Sequence, residues 1–97
     1  MSVRQTITDI VTEQDLDVVF LEPAEYDNAI IGLYWDDNGT PHIAYDKDKI
    51  LDMHIKDGMS EDEAEEFFSY NTVRALPYMG RSAPIIIEVM KEEKAIE

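Results

Sequence analysis

The feature that most constrains this fold is a helix stop followed at once by a helix start, in the sequence GMSEDE at residues 58–63. Gly58 suits the position just after a helix, because glycine enters the left-handed region without steric penalty. Ser60 and Glu63 have the spacing of a capping box, in which each side chain accepts a hydrogen bond from the other residue's backbone N–H. The segment therefore predicts two helices joined by a tight turn, a helical hairpin.

A strand pair is predicted before these helices. Residues 29–36, AIIGLYWD, alternate between two faces and are typical of a central strand with partly covered faces. Asn38 and Gly39 are the pair that favours a type I′ turn, and residues 42–45 return as the second arm. Asp46 then suits the N-cap of the first helix of the hairpin.

The N-terminal part combines signals for a helix and for a strand. Residues 1–15 have helical spacing of apolar side chains, although their threonines would also suit a strand, and we predict a short amphipathic helix. Residues 18–21, VVFL, predict a buried strand that ends before Pro23.

The C-terminal part returns to the sheet. Pro77 ends the second helix, a loop covers residues 77–83, PIIIEVM predicts the last strand, and residues 91–97 form a charged tail. The predicted order is (α)βββααβ. This is a single α+β domain, with a helical hairpin packed on one face of a sheet of three or four strands.

Length and composition limit the functions open to the chain. Its 97 residues suffice for one modest core, and the lack of cysteine excludes disulfides and thiol chemistry. No signal peptide or apolar run long enough for a membrane span is present, so we expect a soluble cytoplasmic protein. A net charge of −14 argues against direct binding to nucleic acid or to an anionic membrane.

The acidity itself has three interpretations. It can be a solvated coat that aids solubility. It can reflect a salt-adapted host, since the chain has only five lysines. It can also imitate the phosphates of DNA and occupy a nucleic-acid site on another protein.

An asparagine interrupts the apolar stripe of the second helix, whose members at helical spacing are Ala64, Phe67, Phe68, Asn71 and Ala75. A buried amide needs hydrogen-bond partners. Asn71 is therefore predicted to be a structural clamp on the loop of residues 77–83, where Gly80 permits a tight turn. The alternative is an amide that reaches a ligand or partner.

The loop PYMGRSAP collects residue types that protein interfaces favour. Tyr78 and Met79 offer apolar area, and Arg81 and Arg74 offer forked donors in an otherwise acidic chain. These four residues are candidates for partner binding. The alternative is that Tyr78 and Met79 cover the edge of the core while the arginines neutralise nearby acids.

Acidic residues crowd the junction of the two helices. Glu61, Asp62, Glu65 and Glu66 are further candidates for partner binding, and they indicate a partner with a basic surface if they are not simply a solvated face.

No motif carries catalytic chemistry. His54 falls in the apolar stripe of the first helix of the hairpin and His42 on the strand pair, without the further ligands that a zinc site needs. The aspartates near residues 36 and 46 do not have calcium-loop spacing. We predict a non-enzyme without metal or cofactor.

The segment DGMSEDEAEEFFSYNTVRALPYMGRSAPIII, residues 57–87, resembles a motif in small, mostly uncharacterised proteins encoded by tailed bacteriophages and prophages. Its shape is G-M-[ST]-x-E-E-A, then N-T, then A-L-P-Y-x-G and a T-or-A-P-apolar strand. With the preceding strand pair, the resemblance covers roughly residues 28–87. It implies that Asn71, Thr72, Pro77, Gly80 and Pro84 belong to the motif, and it assigns no activity.

Three functional hypotheses follow. The first is a phage accessory protein that binds a host or viral protein inside the infected cell, through its acidic face or the loop of residues 78–81, with a DNA-mimic inhibitor as a subtype. The second is a self-assembling structural or adaptor module that pairs the edge strand PIIIEVM with a second copy. The third is a small-molecule binder with a pocket near Asn71, Tyr70 and Arg74.

Overall fold

The computed structural model describes residues 2–90, so the predicted charged tail at residues 91–97 lies outside the described residues. The class is α+β, as predicted, and the described residues form three strands and three α-helices. The elements are α1 (Val3–Thr12), a first 3₁₀ helix (Ala24–Ala29), β1 (Ile30–Trp35), β2 (Pro41–Asp46), α2 (Lys47–Lys56), α3 (Glu61–Asn71), a second 3₁₀ helix (Val73–Tyr78) and β3 (Ile85–Ile87).

The sheet has the order β1-β2-β3, with β1 antiparallel and β3 parallel to β2. The expectation that residues 29–36 form a central strand is wrong, because β3 joins the free side of β2 and leaves β1 at an edge. The burial agrees with this order. Ile43, Ala44 and Tyr45 of β2 are all buried, whereas Ile31 and Tyr34 of β1 are exposed.

The strand hairpin is confirmed, but its turn differs from the predicted type I′. Among the described residues Asn38 does not have the positive φ that this turn requires, whereas Gly39 has φ +78°. The Asp36 carboxylate explains the difference, because it accepts from the N–H groups of Asn38 and Thr40 at 2.9 and 3.0 Å. This side-chain bonding stabilises a different turn, closed by Gly39 N–H donating to the Asp36 carbonyl at 2.9 Å.

The strand predicted at residues 18–21 is not formed. Within residues 2–90 the segment pairs with no strand, and it lies against the core with Leu21 buried. Leu21 N–H donates to the Tyr45 hydroxyl at 2.8 Å, so a side chain supplies the bond that a neighbouring strand would have supplied.

The helix starts follow the caps read from the sequence, but α3 ends at Asn71 rather than at Pro77, which lies within the second 3₁₀ helix. Asp46 accepts from backbone N–H groups at the start of α2, and the capping box of Ser60 and Glu63 is present, with bonds of 2.8 and 3.2 Å. The N-terminal helix is also confirmed as α1, with Ile7 and Val11 on its buried face. The last strand is shorter than predicted and covers only Ile85–Ile87.

The core combines side chains from distant parts of the chain. Its buried members are Ile7, Leu21, Tyr26, Ala29, Ile43, Tyr45, Ile50 and Phe68. They come from α1, the segment before the first 3₁₀ helix, that 3₁₀ helix, β2, α2 and α3. The first 3₁₀ helix packs against α2, α2 packs against α3, and a cleft lined by all three elements lies there.

Candidate binding groove

The groove begins at the turn between α2 and α3. Gly58, at φ +111°, donates to the Ile55 carbonyl at 3.0 Å, and Met59 N–H donates to the His54 carbonyl at 3.1 Å. These two bonds form a Schellman motif, which satisfies the last carbonyls of α2 and turns the chain sharply. Met59 is thereby held at the corner where both helices meet.

The larger part of the groove is a cavity of about 500 Å³ between the first 3₁₀ helix, the end of α2 and α3. Its lining includes the side chains of Tyr26, Met53, His54, Met59 and Phe67. Its size falls within the range of about 300–1,000 Å³ that ligand sites occupy.

A smaller part of about 290 Å³ continues along α3. It shares Met59 and Phe67 with the larger part and adds Glu63, Glu66 and Tyr70. Because the two parts share these side chains, they adjoin. We call both together the aromatic groove.

Three rings organise the larger part. The Tyr26 hydroxyl lies 3.0 Å from His54 Nε2, and these rings meet edge to face with centroids 5.8 Å apart. The Phe67 ring lies 4.7 Å from the His54 ring. Tyr26 and His54 are only 6% and 8% exposed, whereas Phe67 is 38% exposed. The buried His54 ring, bonded to Tyr26, thus packs against the solvent-accessible ring of Phe67.

The charge along the aromatic groove is mainly negative. Glu25 and Asp57 line the larger part beside Lys56, and Glu63 and Glu66 line the smaller part. Burial raises the pKa of the Tyr26 phenol above its usual value, and the nearby carboxylates of Asp57 and then Glu25 raise it further. The field of these acids therefore reaches the interior of the groove.

The role predicted for Asn71 is contradicted. Asn71 is exposed, and its side-chain amide donates to the Phe67 carbonyl of its own helix at 3.0 Å rather than to the loop of residues 77–83. The buried stripe of α3 runs through Ala64 and Phe68 to Thr72, so Thr72 takes the interior position. Asn71 instead lines the smaller part of the aromatic groove.

The loop predicted for partner binding is divided between surface and core. Tyr78 is 89% exposed and Arg81 is exposed, whereas Met79 packs against the core. Gly80 has φ +91°, a conformation that favours glycine. Arg74 lies apart from this loop, with its guanidinium 5.1 Å from the Tyr70 ring centroid.

The predicted acidic residues all lie exposed on α3: Glu61, Asp62, Glu65 and Glu66. Glu65 forms an ion pair with Lys47 at 3.5 Å. Glu61 and Glu65 line a separate cavity of about 220 Å³ between α2 and α3. Only Glu66 of the four lines the aromatic groove.

Sequence reasoning missed the interior of this groove. His54 carried a weak signal, because it falls on the apolar stripe of α2, but Tyr26 sits in the polar stretch AEYDN and gave none. The pairing of Tyr26 with His54 depends on a tertiary contact across 28 residues.

The second histidine forms a separate structure, which we call the hairpin clamp. His42 Nε2 lies 2.8 Å from the Asp36 carboxylate, and Nδ1 lies 2.8 Å from the Ala83 carbonyl. Both partners can only accept, so the ring donates from both nitrogens and is cationic in this geometry. The Asp36 bond and then the Ala83 carbonyl raise the pKa of His42, and the His42 bond is the largest cause that lowers the pKa of Asp36.

Two further structural properties concern metals and membranes. Within residues 2–90, no three histidine or acidic side chains gather in a way that could hold a metal ion. No helix of the same part of the chain has the length and apolar character needed to cross a membrane.

Comparison with known proteins finds no matching family model, no matching curated protein and no matching solved structure. The resemblance to phage proteins therefore stays a prediction.

Proposed function

We propose that this protein is a non-enzymatic accessory protein of the bacteriophage type, which acts in the cytoplasm of an infected cell by binding a host or viral protein with a basic surface. The observation that carries the proposal is the surface of α3. Phe67 and Tyr70 are 38% and 63% exposed there, beside Glu63 and Glu66. Exposed aromatic rings next to charges are typical of protein contacts.

The charges of α3 support a basic partner. Glu65 forms an ion pair with Lys47, and the Glu63 side chain accepts a hydrogen bond in the capping box. Within residues 2–90, the other three acids of α3 form no ion pair: Glu61, Asp62 and Glu66. Unneutralised carboxylates on one helix attract a basic surface and speed its approach.

The loop at residues 78–81 is a second candidate contact. Tyr78 is the most exposed large apolar side chain described, and Arg81 is exposed beside it. The loop would contact an acidic or neutral part of the partner.

Imitation of DNA is a subtype of this function. The net charge of −14 and the exposed acids of α3 support it. Duplex DNA added to a preformed complex should displace the protein if the partner's nucleic-acid site is the one occupied. Failure of DNA to compete would reject this subtype and leave protein binding intact.

Self-assembly is a second candidate function, and one observation favours it. Ile31 and Tyr34 at one edge of the sheet and Ile87 at the other are exposed. Light scattering across micromolar concentrations tests this function, and a monomer at every concentration would reject it. The charge of −14 opposes close contact between two copies.

A small-molecule function would use the part of the groove near Asn71. The cavity of about 290 Å³ beside Tyr70 and Asn71 favours it. The two functions can be distinguished experimentally. A small ligand would contact only residues of the groove, whereas a protein partner would also contact the acids outside it.

Affinity capture from a bacterial lysate tests the leading proposal. The tagged protein is compared with a variant in which Asp62 and Glu66 are both replaced by lysine, and with a Tyr78→Ala, Arg81→Glu variant. We expect the parent protein to retain a basic protein that the first variant loses. Retention of no protein, or of the same proteins by all three chains, would contradict the proposal.

A further inference from the structure

The aromatic groove has the lining of a site for a protein segment. Met53 and Met59 are unbranched and polarisable, so they adapt to differently shaped apolar side chains. Tyr26, Phe67 and Tyr70 supply ring faces along the same groove. An apolar side chain can be buried here against both methionines and Phe67.

The charge of the groove favours basic residues on either side of that apolar side chain. Four acids line it, namely Glu25, Asp57, Glu63 and Glu66, against one base, Lys56. A lysine or arginine on either side of the anchor would lie near these carboxylates. An acidic segment or a nucleic acid would be repelled by the same groups.

The Tyr70 ring already makes a cation–π contact within this chain. The Arg74 guanidinium lies 5.1 Å from the Tyr70 ring centroid, within cation–π distance. A partner's guanidinium or ammonium group over Phe67 or the free part of Tyr70 would make the same kind of contact.

Net charge disfavours a second copy of this chain as the occupant of the groove. The chain carries 22 acids against 8 bases, so even its segment with an exposed aromatic side chain between two arginines, Tyr78 with Arg74 and Arg81, belongs to a molecule of net charge −14. Two copies would bring like charges together at the groove.

We infer that the aromatic groove is the docking site for a partner protein's segment in which an aromatic or large aliphatic anchor is flanked by lysine or arginine. The anchor enters the larger part, between Met53, Met59 and Phe67. The basic neighbours lie along Glu25 and Asp57 on one side and Glu66 on the other. The inference rests on the proposed function and names the surface and the chemistry of its partner.

A designed peptide tests the inference directly. The probe is a fluorescein-labelled, end-blocked peptide with tryptophan at its centre and two lysines on each side. One control peptide has glycine in place of tryptophan, and a second has glutamates in place of the lysines. Fluorescence anisotropy with the whole chain should show saturable binding of the probe and much weaker binding of both controls. Equal binding of the glycine peptide would show charge attraction alone and would overturn the inference, as would absence of probe binding.

Matched variants place the binding on the groove. Glu66→Lys changes a groove acid, and Asp62→Lys makes the same charge change on the same helix away from the groove. We expect Glu66→Lys to weaken the probe about fivefold and Asp62→Lys less than about twofold, since screening reduces the effect of distant charges. Equal loss in both variants would contradict a localised site.

Aromatic truncations provide the second pair. Phe67→Ala should weaken the probe about tenfold, equivalent to about 1.4 kcal/mol. Tyr70→Ala removes a more exposed ring, so it should keep the fold and still weaken binding, whereas Tyr78→Ala should leave binding unchanged. Unchanged affinity in folded Tyr70→Ala and Phe67→Ala would overturn the inference.

Failure of the inference can be separated from failure of the proposed function. A captured partner that is retained by Glu66→Lys and Tyr70→Ala but lost by the Tyr78→Ala, Arg81→Glu variant would move the contact to the loop at residues 78–81. Protein binding would then stand and groove docking would fall. If the parent chain captures no protein, the proposed function falls whatever the peptide does.

Discussion

The two histidines of this chain occupy opposite kinds of site. His42 faces an acceptor at each nitrogen, the Asp36 carboxylate and the Ala83 carbonyl, both at 2.8 Å. His54 faces the Tyr26 hydroxyl at 3.0 Å, a group that can donate or accept, and its ring lies against Phe67 in the wall of an open groove.

The difference shows which region serves the fold and which remains available to a partner. In the hairpin clamp every polar atom of the ring is used within the chain, and the bonds tie the strand hairpin to the segment before β3. In the aromatic groove the buried Tyr26–His54 pair ends at Phe67, a ring exposed to solvent beside acids. Removing the clamp should therefore change stability, and altering the groove surface should change binding.

The largest stability effect is expected at the clamp. His42→Ala removes two charge-assisted hydrogen bonds and should lower the free energy of unfolding by about 1–3 kcal/mol. Urea denaturation measures it. The control, Asp37→Ala, removes an exposed acid from the same turn without touching the clamp and should lie within about 0.5 kcal/mol of the parent. If His42→Ala were as stable as the control, the clamp would contribute nothing to the fold.

A smaller effect is expected from Tyr26→Phe in the groove. It removes the hydroxyl that bonds His54 Nε2 and keeps the edge-to-face ring contact, so the loss should be about 1 kcal/mol. Thermal unfolding and probe-peptide affinity are measured together. Because the hydroxyl lies beneath the surface ring, affinity should fall less than in Phe67→Ala. A larger loss of affinity than in Phe67→Ala would mean that the hydroxyl itself contacts the partner.

The clamp should also make stability depend on pH. The folded pKa of His42 is raised, so its contribution is complete below the unfolded value of about 6.5 and declines as pH rises through the folded pKa. The folded pKa of Asp36 is lowered, so its contribution is present above about 3.9 and declines as pH falls through the folded pKa.

Denaturation of the parent and of His42→Gln between pH 4 and 9 measures this dependence. The stability difference between the two chains should be greatest between about pH 4 and 6.5 and should shrink toward pH 9. A difference that stays constant across the range would contradict a cationic His42 in the folded chain.

The smallest effect is expected at Asn71. Its amide bonds only the Phe67 carbonyl of its own helix and is exposed, so Asn71→Ala should change the free energy of unfolding by no more than about 0.5 kcal/mol. Thr72→Val changes the adjacent buried position, so it should lower the free energy of unfolding more than Asn71→Ala does. A loss of several kcal/mol in Asn71→Ala would restore the clamp role that the sequence predicted.

The elements fixed by neighbouring residues could be predicted from the sequence. The capping box of Ser60 and Glu63 and the stop at Gly58 depend on atoms a few residues apart, and both are present. The strand hairpin could also be predicted from neighbouring residues, although bonding by the Asp36 side chain changed the type of its turn.

Features decided by distant contacts could not be predicted in the same way. The apolar run at residues 18–21 looked like a strand, but Tyr45 rather than a neighbouring strand satisfies Leu21. Helical spacing placed Asn71 on the apolar stripe of the second helix, but tertiary packing buries Thr72 and leaves Asn71 exposed. The groove combines residues from the first 3₁₀ helix, α2 and α3, so only the folded chain brings its lining together.

The most direct test of groove docking is an ¹H–¹⁵N NMR titration of the whole chain with the lysine-flanked tryptophan peptide. If the peptide docks in the groove, we expect saturable shifts at the amides of Met53, Met59, Phe67 and Tyr70, with those of His42 and Tyr78 unchanged. Shifts confined to residues 78–81, or spread evenly over all the exposed acids, would contradict the claim that the aromatic groove receives the partner.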